Sequence, residues 1–245
     1  MTLKTIQFDD YDLPRFVDVA RRWGTGQYGY VVTPNADHLI RLDEEDSFQA
    51  LYRDAAFVLL DSRFLARIVS FTQRQQLPVC AGSDLTAALF GQVIQPDDPL
   101  VLIGCEAEQA GALAARYGLR NLAHHNPPMG FTRDPAALEA ALAFVEAHSP
   151  FRFCLLAVGA PQQEKVAQAL KARGVARGMA LCIGASINFL TGAEVRAPVW
   201  MQKAGIEWLF RLRQSPKRLA RRYLVRGPRV FGILRRVAIS LRPAA

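Results

Sequence analysis

The chain has 245 residues, 51% hydrophobic and 21% charged, which excludes a disordered protein and supplies ample material for a buried core. The net charge is +8, yet residues 211–245 carry eleven Lys/Arg and no Asp or Glu, leaving 19 basic against 22 acidic residues in residues 1–210. A weakly acidic body with a strongly basic tail points to an anionic partner: a membrane, a nucleic acid or a phosphorylated substrate.

The opening stretch MTLKTIQFDDYDLP has no apolar run of signal-peptide length, and no run of 18 apolar residues follows, so no bilayer span is expected and the body reads as intracellular. Short apolar strands then alternate with helix-length segments. Strands are expected at Tyr30–Val32, Phe57–Leu60, Leu77–Cys80, Leu100–Ile103, Leu119–Ala123, Phe153–Val158 and Met179–Ile183. Helices are expected at His38–Arg53, Phe64–Gln75, Leu85–Gln92, Ala107–Tyr117, Pro135–Ala147 and Gln162–Arg173. Continuous apolar strands are those buried on both faces, and the alternation predicts an α/β fold, a parallel sheet with helices on both faces. Cys80, Cys105, Cys154 and Cys182 lie in or just after apolar runs with no CxxC spacing, and read as reduced core residues.

The alternation ends at Gly192. One helix is expected over Val199–Arg213 and a second from Ser215-Pro216 to about Arg226; after Gly227-Pro228 comes the apolar stretch Val230–Leu241. The expected organisation is a body of residues 1–192 and a basic helical appendage of residues 193–245. The body is expected to keep its core without the tail.

In a parallel α/β sheet, ligands bind beyond the carboxyl ends of the strands. Those ends carry Thr33-Pro34-Asn35-Ala36-Asp37-His38, Asp61-Ser62-Arg63, Gly104, Gly159-Ala160-Pro161-Gln162-Gln163-Glu164 and Gly184-Ala185-Ser186-Ile187-Asn188. The glycines either close tight turns or bring backbone against a ligand, and as a set they favour a nucleotide site; no Walker or full GxGxxG sequence is present. Asp61 ends an apolar strand, where desolvation suits a general base; the competing reading is an N-cap for the next helix. His38 reads as a packing or capping residue, and His124-His125 as loop or core residues rather than a metal site. In the tail, Arg218, Arg221 and Arg222 share a helix face that could grip a diphosphate. Interleaved Leu, Ile, Val and Phe fit a membrane surface better than nucleic acid.

These residues together resemble the WecG/TagA/CpsF glycosyltransferases. The resemblance runs from about Val31 to Tyr223 and rests on TPNADH at Thr33–His38, Asp61, AGSDL at Ala81–Leu85, NPPMGF at Asn126–Phe131 and GAPQQEK at Gly159–Lys165. The long block GASINFLTGAEVRAPVWMQKAGIEWLFRL at Gly184–Leu212 and SPKRLARRY at Ser215–Tyr223 complete it. It implies a Rossmann-like body and an inverting, metal-independent transfer of sugar from a UDP-sugar to a polyprenyl-diphosphate-linked saccharide at the cytoplasmic membrane face. Asp61 matches the catalytic base; Thr33 and Asn35 match the substrate pocket, and Gln163 and Glu164 a pair near the nucleotide. Gly159, Gly184 and Asn188 fall in the matched strand-end motifs, and Arg211, Arg218 and Arg221 match arginines that meet the lipid diphosphate. Ser62 stands where many members have Gly, and Asn188 where many have Asp, as in members that transfer glucose or a similar hexose in exopolysaccharide assembly.

The expected partners are the donor, the lipid-linked acceptor and an anionic membrane surface, with no nucleic acid, no metal and no cofactor; a homo-oligomer is compatible with this reading. The rival is a non-enzymatic binding protein docked on a membrane or nucleic-acid partner through its tail. Asp61 separates the two, since a pure binder needs no carboxylate at the mouth of a sugar-nucleotide pocket.

Overall fold

A computed structural model describes residues 4–244. The first half runs β1 (Lys4–Asp9), α1 (Leu13–Trp23), β2 (Tyr28–Val32), α2 (Ala36–Glu44), α3 (Asp46–Arg53), β3 (Phe57–Val58), α4 (Arg63–Gln73), α5 (Gly82–Gln92), β4 (Leu100–Ile103) and α6 (Ala107–Tyr117). It continues with β5 (Leu122–His125), α7 (Pro135–Ala147), β6 (Phe153–Leu156), α8 (Gln162–Arg173), β7 (Gly178–Cys182) and α9 (Ser186–Thr191). The C-terminal part holds α10 (Val199–Lys203), α11 (Glu207–Gln214), α12 (Pro216–Ala220), a π-helical turn over Arg221–Arg226, α13 (Arg229–Leu234) and β8 (Val237–Arg242).

Six strands form one parallel sheet in the order β3-β2-β7-β6-β4-β5. Every residue of β4, β6 and β7 is buried, as their unbroken apolar sequences require. The period of two splits them between two cores. Val32, Val101, Ile103, Cys154, Leu156 and Ala180 pack with α2, α3, α7, α8 and α13. Val31, Leu100, Leu102, Phe153, Leu155 and Leu181 pack with α1, α5, α6 and α9. The expected α/β architecture is therefore the observed one.

Several local expectations change. Leu77–Cys80 is no strand; Pro78 interrupts it, and it makes a single sheet-like bond, from Cys80 N–H to the Leu60 carbonyl at 2.9 Å. His124 and His125 lie on β5 rather than in a loop, because that strand starts three residues later than expected. The helix expected over Val199–Arg213 breaks into α10 and α11 at Gly205, whose φ of +70° leaves the helical region.

The largest correction concerns the tail. It is not wholly helical: Val237–Arg242 forms β8, paired in parallel with β1 from Lys4↔Val237 to Asp9↔Arg242. Its apolar residues Val230, Ile233, Leu234, Val237 and Ile239 belong to the body's core. Much of its charge is also met internally. Arg222 and Arg226 reach Asp37 at 3.7 and 3.5 Å, Arg229 reaches Glu44 at 2.9 Å, and Arg236 reaches Asp43 at 2.5 Å. Arg242 pairs with buried Asp9, and Arg211 lies 3.8 Å from Glu194. The basic tail and acidic body thus neutralise each other in part, and only the remainder is available to an external anion.

Candidate active site

β2 and β7 are hydrogen-bonded neighbours, but the helices that follow them, α2 and α9, pack on opposite faces of the sheet. Such a reversal opens a crevice beyond the strand ends. Thr33 lies at this crevice, its hydroxyl donating to the Cys182 carbonyl across it at 3.4 Å. The adjacent order β3-β2-β7-β6 places Asp61, Asn35, Gly184 and Gly159 along one rim.

The chain beyond β3 keeps an extended course: Leu59 N–H donates to the Val32 carbonyl and Asp61 N–H to the Pro34 carbonyl, at 2.9 and 3.0 Å. Asp61 is thereby carried beside Asn35. It is not the N-cap of α4; Ser62 is, its hydroxyl accepting from Leu65 N–H at 3.1 Å. The Asp61 carboxylate instead accepts the Gly82 N–H at 2.6 Å. Burial pushes its pKa up to about 6, opposed by that amide, raised further by Glu207 and lowered by the Asn35 side chain and Arg211. Asp61 is ionised at neutral pH yet basic enough to take a proton from a hydroxyl in a transition state.

That pKa carries a stability prediction. Folding raises the Asp61 pKa from 3.8 to about 6, so the ionised group destabilises the fold above pH 6 and costs nothing below its unfolded value. Two units correspond to at most about 3 kcal/mol, less for a side chain that keeps some solvent contact. Asp61→Asn is expected to be more stable than the wild type by about 1–3 kcal/mol at pH 8 and by almost nothing below pH 4, read by urea unfolding at both.

Asn35 caps α2, accepting from Asp37 N–H at 3.1 Å, and His38 completes the capping box by accepting from Asn35 N–H at 3.4 Å. Burial first, then nearby Arg222, lowers the His38 pKa to about 3, so this imidazole is neutral. Arg222 donates to Asn35 Oδ1 at 3.3 Å, bringing the tail to the same corner.

Gln163 and Glu164 are buried at the start of α8. Gln163 accepts from Gly184 N–H at 3.0 Å and donates to Glu164 Oε1 at 2.9 Å, and Glu164 lies 3.8 Å from His38. Desolvation pushes the Glu164 pKa up to about 7. Gln163 thereby ties the start of α8 to the β7 loop, and Glu164 joins it to His38. Asn188 accepts from Gln109 at 3.0 Å and donates to Glu194 at 3.3 Å. Arg211 stacks over Phe189 beside the same Glu194. Arg221 is exposed on the π-helical turn, and the Arg218 side chain lies outside the described residues. Glu207, Gln109, Asp84 and Gly82 were not singled out in the sequence; only the AGSDL motif flagged the last two.

Among the described residues, no three His, Cys, Asp or Glu side chains converge to hold a metal ion. Asp10-Tyr11-Asp12 follows β1; there Asp12 caps α1 and Asp10 lies 3.7 Å from Arg15.

An open parallel sheet with a strand-end crevice that holds a desolvated carboxylate with arginines nearby is an arrangement able to seat a small ligand and to accept a proton from it. The profile of the glycosyl transferase WecG/TagA/CpsF family matches residues 1–243, and the chain belongs to that family. It is thus a glycosyltransferase of polysaccharide biosynthesis.

Proposed function

We propose that the protein transfers a hexose, with inversion and without a metal, from a UDP-sugar to a polyprenyl-diphosphate-linked saccharide in exopolysaccharide or related cell-surface assembly. The observation that carries this reading is the Asp61 carboxylate, which leaves the capping of α4 to Ser62 and whose pKa is raised to about 6 at the rim of the crevice. The acceptor hydroxyl attacks the anomeric carbon from the face opposite UDP. Its proton passes to Asp61, the new C–O bond forms as the bond to the UDP oxygen breaks, and the electron pair leaves with UDP. A single base and one displacement invert the anomeric centre. Arginine side chains and backbone N–H groups at the strand ends meet the charge that develops on UDP.

Thr33, Asn35, Gly159 and Gly184 line the donor's approach, with Gln163 and Glu164 holding the Gly184 loop in shape. Asn188 reads the donor, and Arg211, Arg218 and Arg221 meet the acceptor diphosphate. The test is a panel of UDP-sugars offered with a lipid-linked acceptor, with product mass and anomeric configuration recorded. A new β- or α-linkage opposite to the donor's, formed equally well in EDTA, is the expected result. Loss of turnover on chelation, restored by Mg²⁺ or Mn²⁺, would contradict the metal-free part; retained configuration would contradict the single displacement.

The tail's exposed apolar residues support docking on the inner face of the cell membrane. Trp200, Leu209, Leu224, Val225 and Phe231 are about half exposed or more, interspersed with exposed Arg213, Lys217 and Arg221. No helix among the described residues is long and apolar enough to cross a membrane. Leu224→Asp with Val225→Asp is expected to lower sedimentation with phosphatidylglycerol vesicles by at least tenfold, and 0.5 M salt to weaken wild-type binding. Unchanged sedimentation would remove this face from docking. Arg236 and Arg229, already paired with Asp43 and Glu44, are expected to matter less.

A further inference from the structure

The AGSDL turn has no part in the chemistry above, yet it bonds Asp61 directly through Gly82 and, through Asp84, the segment after Asp61 and the segment that leads to α11. Asp84, on the first turn of α5, bridges two arginines: its Oδ2 accepts from Arg63 at 2.6 Å and its Oδ1 from Arg196 at 2.5 Å. Its side chain is 14% exposed, and burial alone would raise its pKa; both arginines hold it below the usual carboxylate range. Arg63 follows Asp61 by two residues. Arg196 sits in the segment that leaves the body for α10 and α11. Two residues before Asp84 is Gly82, whose N–H is bonded to Asp61 and whose carbonyl accepts the buried Thr86 hydroxyl at 2.7 Å. A Cβ on Gly82 would lie 2.8 Å from the Thr33 hydroxyl, so any larger residue would make Thr33 shift where this turn meets Asp61.

We propose that Asp84 is a positioning residue that staples three segments together. By bridging Arg63 and Arg196 it presses the Gly82 amide onto Asp61 and fixes the start of the tail that brings Arg211 to the same carboxylate. A 1 Å displacement of a catalytic group costs up to about a hundredfold in rate, so the bridge has a kinetic role although it touches no substrate. This role rests on the reading of Asp61 as the base.

The Gly82 amide proton is the reporter, observed in the full chain with ¹⁵N-labelled glycine. It is bonded to a carboxylate, so its shift is expected to titrate with Asp61 near pH 6 in the wild type and to stop titrating in Asp61→Asn. In Asp84→Asn and, from the other side of the bridge, in Arg196→Gln, the step should shrink by at least half. The amide should exchange at least tenfold faster. Turnover of the donor active in the wild type should fall at least tenfold with the affinity for UDP unchanged. Glu207 and Arg211 of α11 and the Cys80 thiol, the other titratable or charged groups acting on or beside Asp61, are left in place by both substitutions. A Gly82 amide that titrates and exchanges as in the wild type in both variants overturns the proposal, whatever their activity. Asp61→Asn that keeps its turnover while the amide stops titrating overturns the base reading and not this one.

Discussion

Asp61→Asn is expected to lower turnover by about 10²–10⁴ while UDP still binds. The replacement is nearly isosteric, and the Asn carbonyl can still accept the Gly82 N–H, so the crevice keeps its shape. What disappears is the proton acceptor. The acceptor hydroxyl must then lose its proton to water, and the barrier rises by about 3–5 kcal/mol, the equivalent of that rate loss. Because the same substitution removes a charge that the fold holds at a cost, the inactive variant should be the more stable one at pH 8. Stability and activity moving in opposite directions distinguish a lost base from a damaged fold. The measurement is UDP release beside UDP affinity by calorimetry; a variant keeping more than half its turnover would remove Asp61 from the mechanism.

Removal of residues 211–245 is expected to abolish cooperative folding, not only activity. Leu219, Val230, Ile233, Leu234, Val237 and Ile239 are each no more than 6% exposed. Burying such side chains contributes about 1.5–3 kcal/mol apiece, together on the order of 10 kcal/mol. That matches the roughly 5–15 kcal/mol that holds a whole domain. The truncation also strips β1 of its partner strand and leaves Asp9 without Arg242. Asp9 is 4% exposed and also accepts Val58 N–H at 2.6 Å, so Arg242→Ala alone should cost about 3–5 kcal/mol through an uncompensated buried carboxylate. A truncated chain that unfolds in one cooperative urea transition would restore the tail as a separable appendage.

The central sheet was legible because strands buried on both faces are written as continuous apolar runs: LVLI at β4 and FCLL at β6 have few other readings. The strand ends, and with them Asp61, Thr33, Asn35 and Gly184, followed from that reading. β1 and β8 did not, since KTIQFD and VAISLR mix polar with apolar residues, and a parallel pair between strands so far apart in the chain leaves no local signature. α1 was not expected either, although Asp12 as cap and Pro14 in its first turn are the signals that open a helix. Whether Asp61 capped a helix turned on which of two adjacent side chains took the cap, and Ser62 took it. Asp84 was visible in its motif, but its partners stand 21 and 112 residues away in sequence. The tail's excess of basic residues points to an outside partner; nothing in a count of charges shows that Asp37, Asp43 and Glu44 wait for it on the body.

The pairing of β1 with β8 sets a timetable for synthesis. β1 leaves the ribosome about 230 residues before its partner, an interval on the order of 10–45 s at 5–20 residues per second. Through that interval Ile6 and Phe8 have no strand to lie beside, and one edge of the nascent protein stays open to pairing with a neighbouring chain on the same message. The sheet can assemble as it is made, but the clasp closes only when β8 emerges.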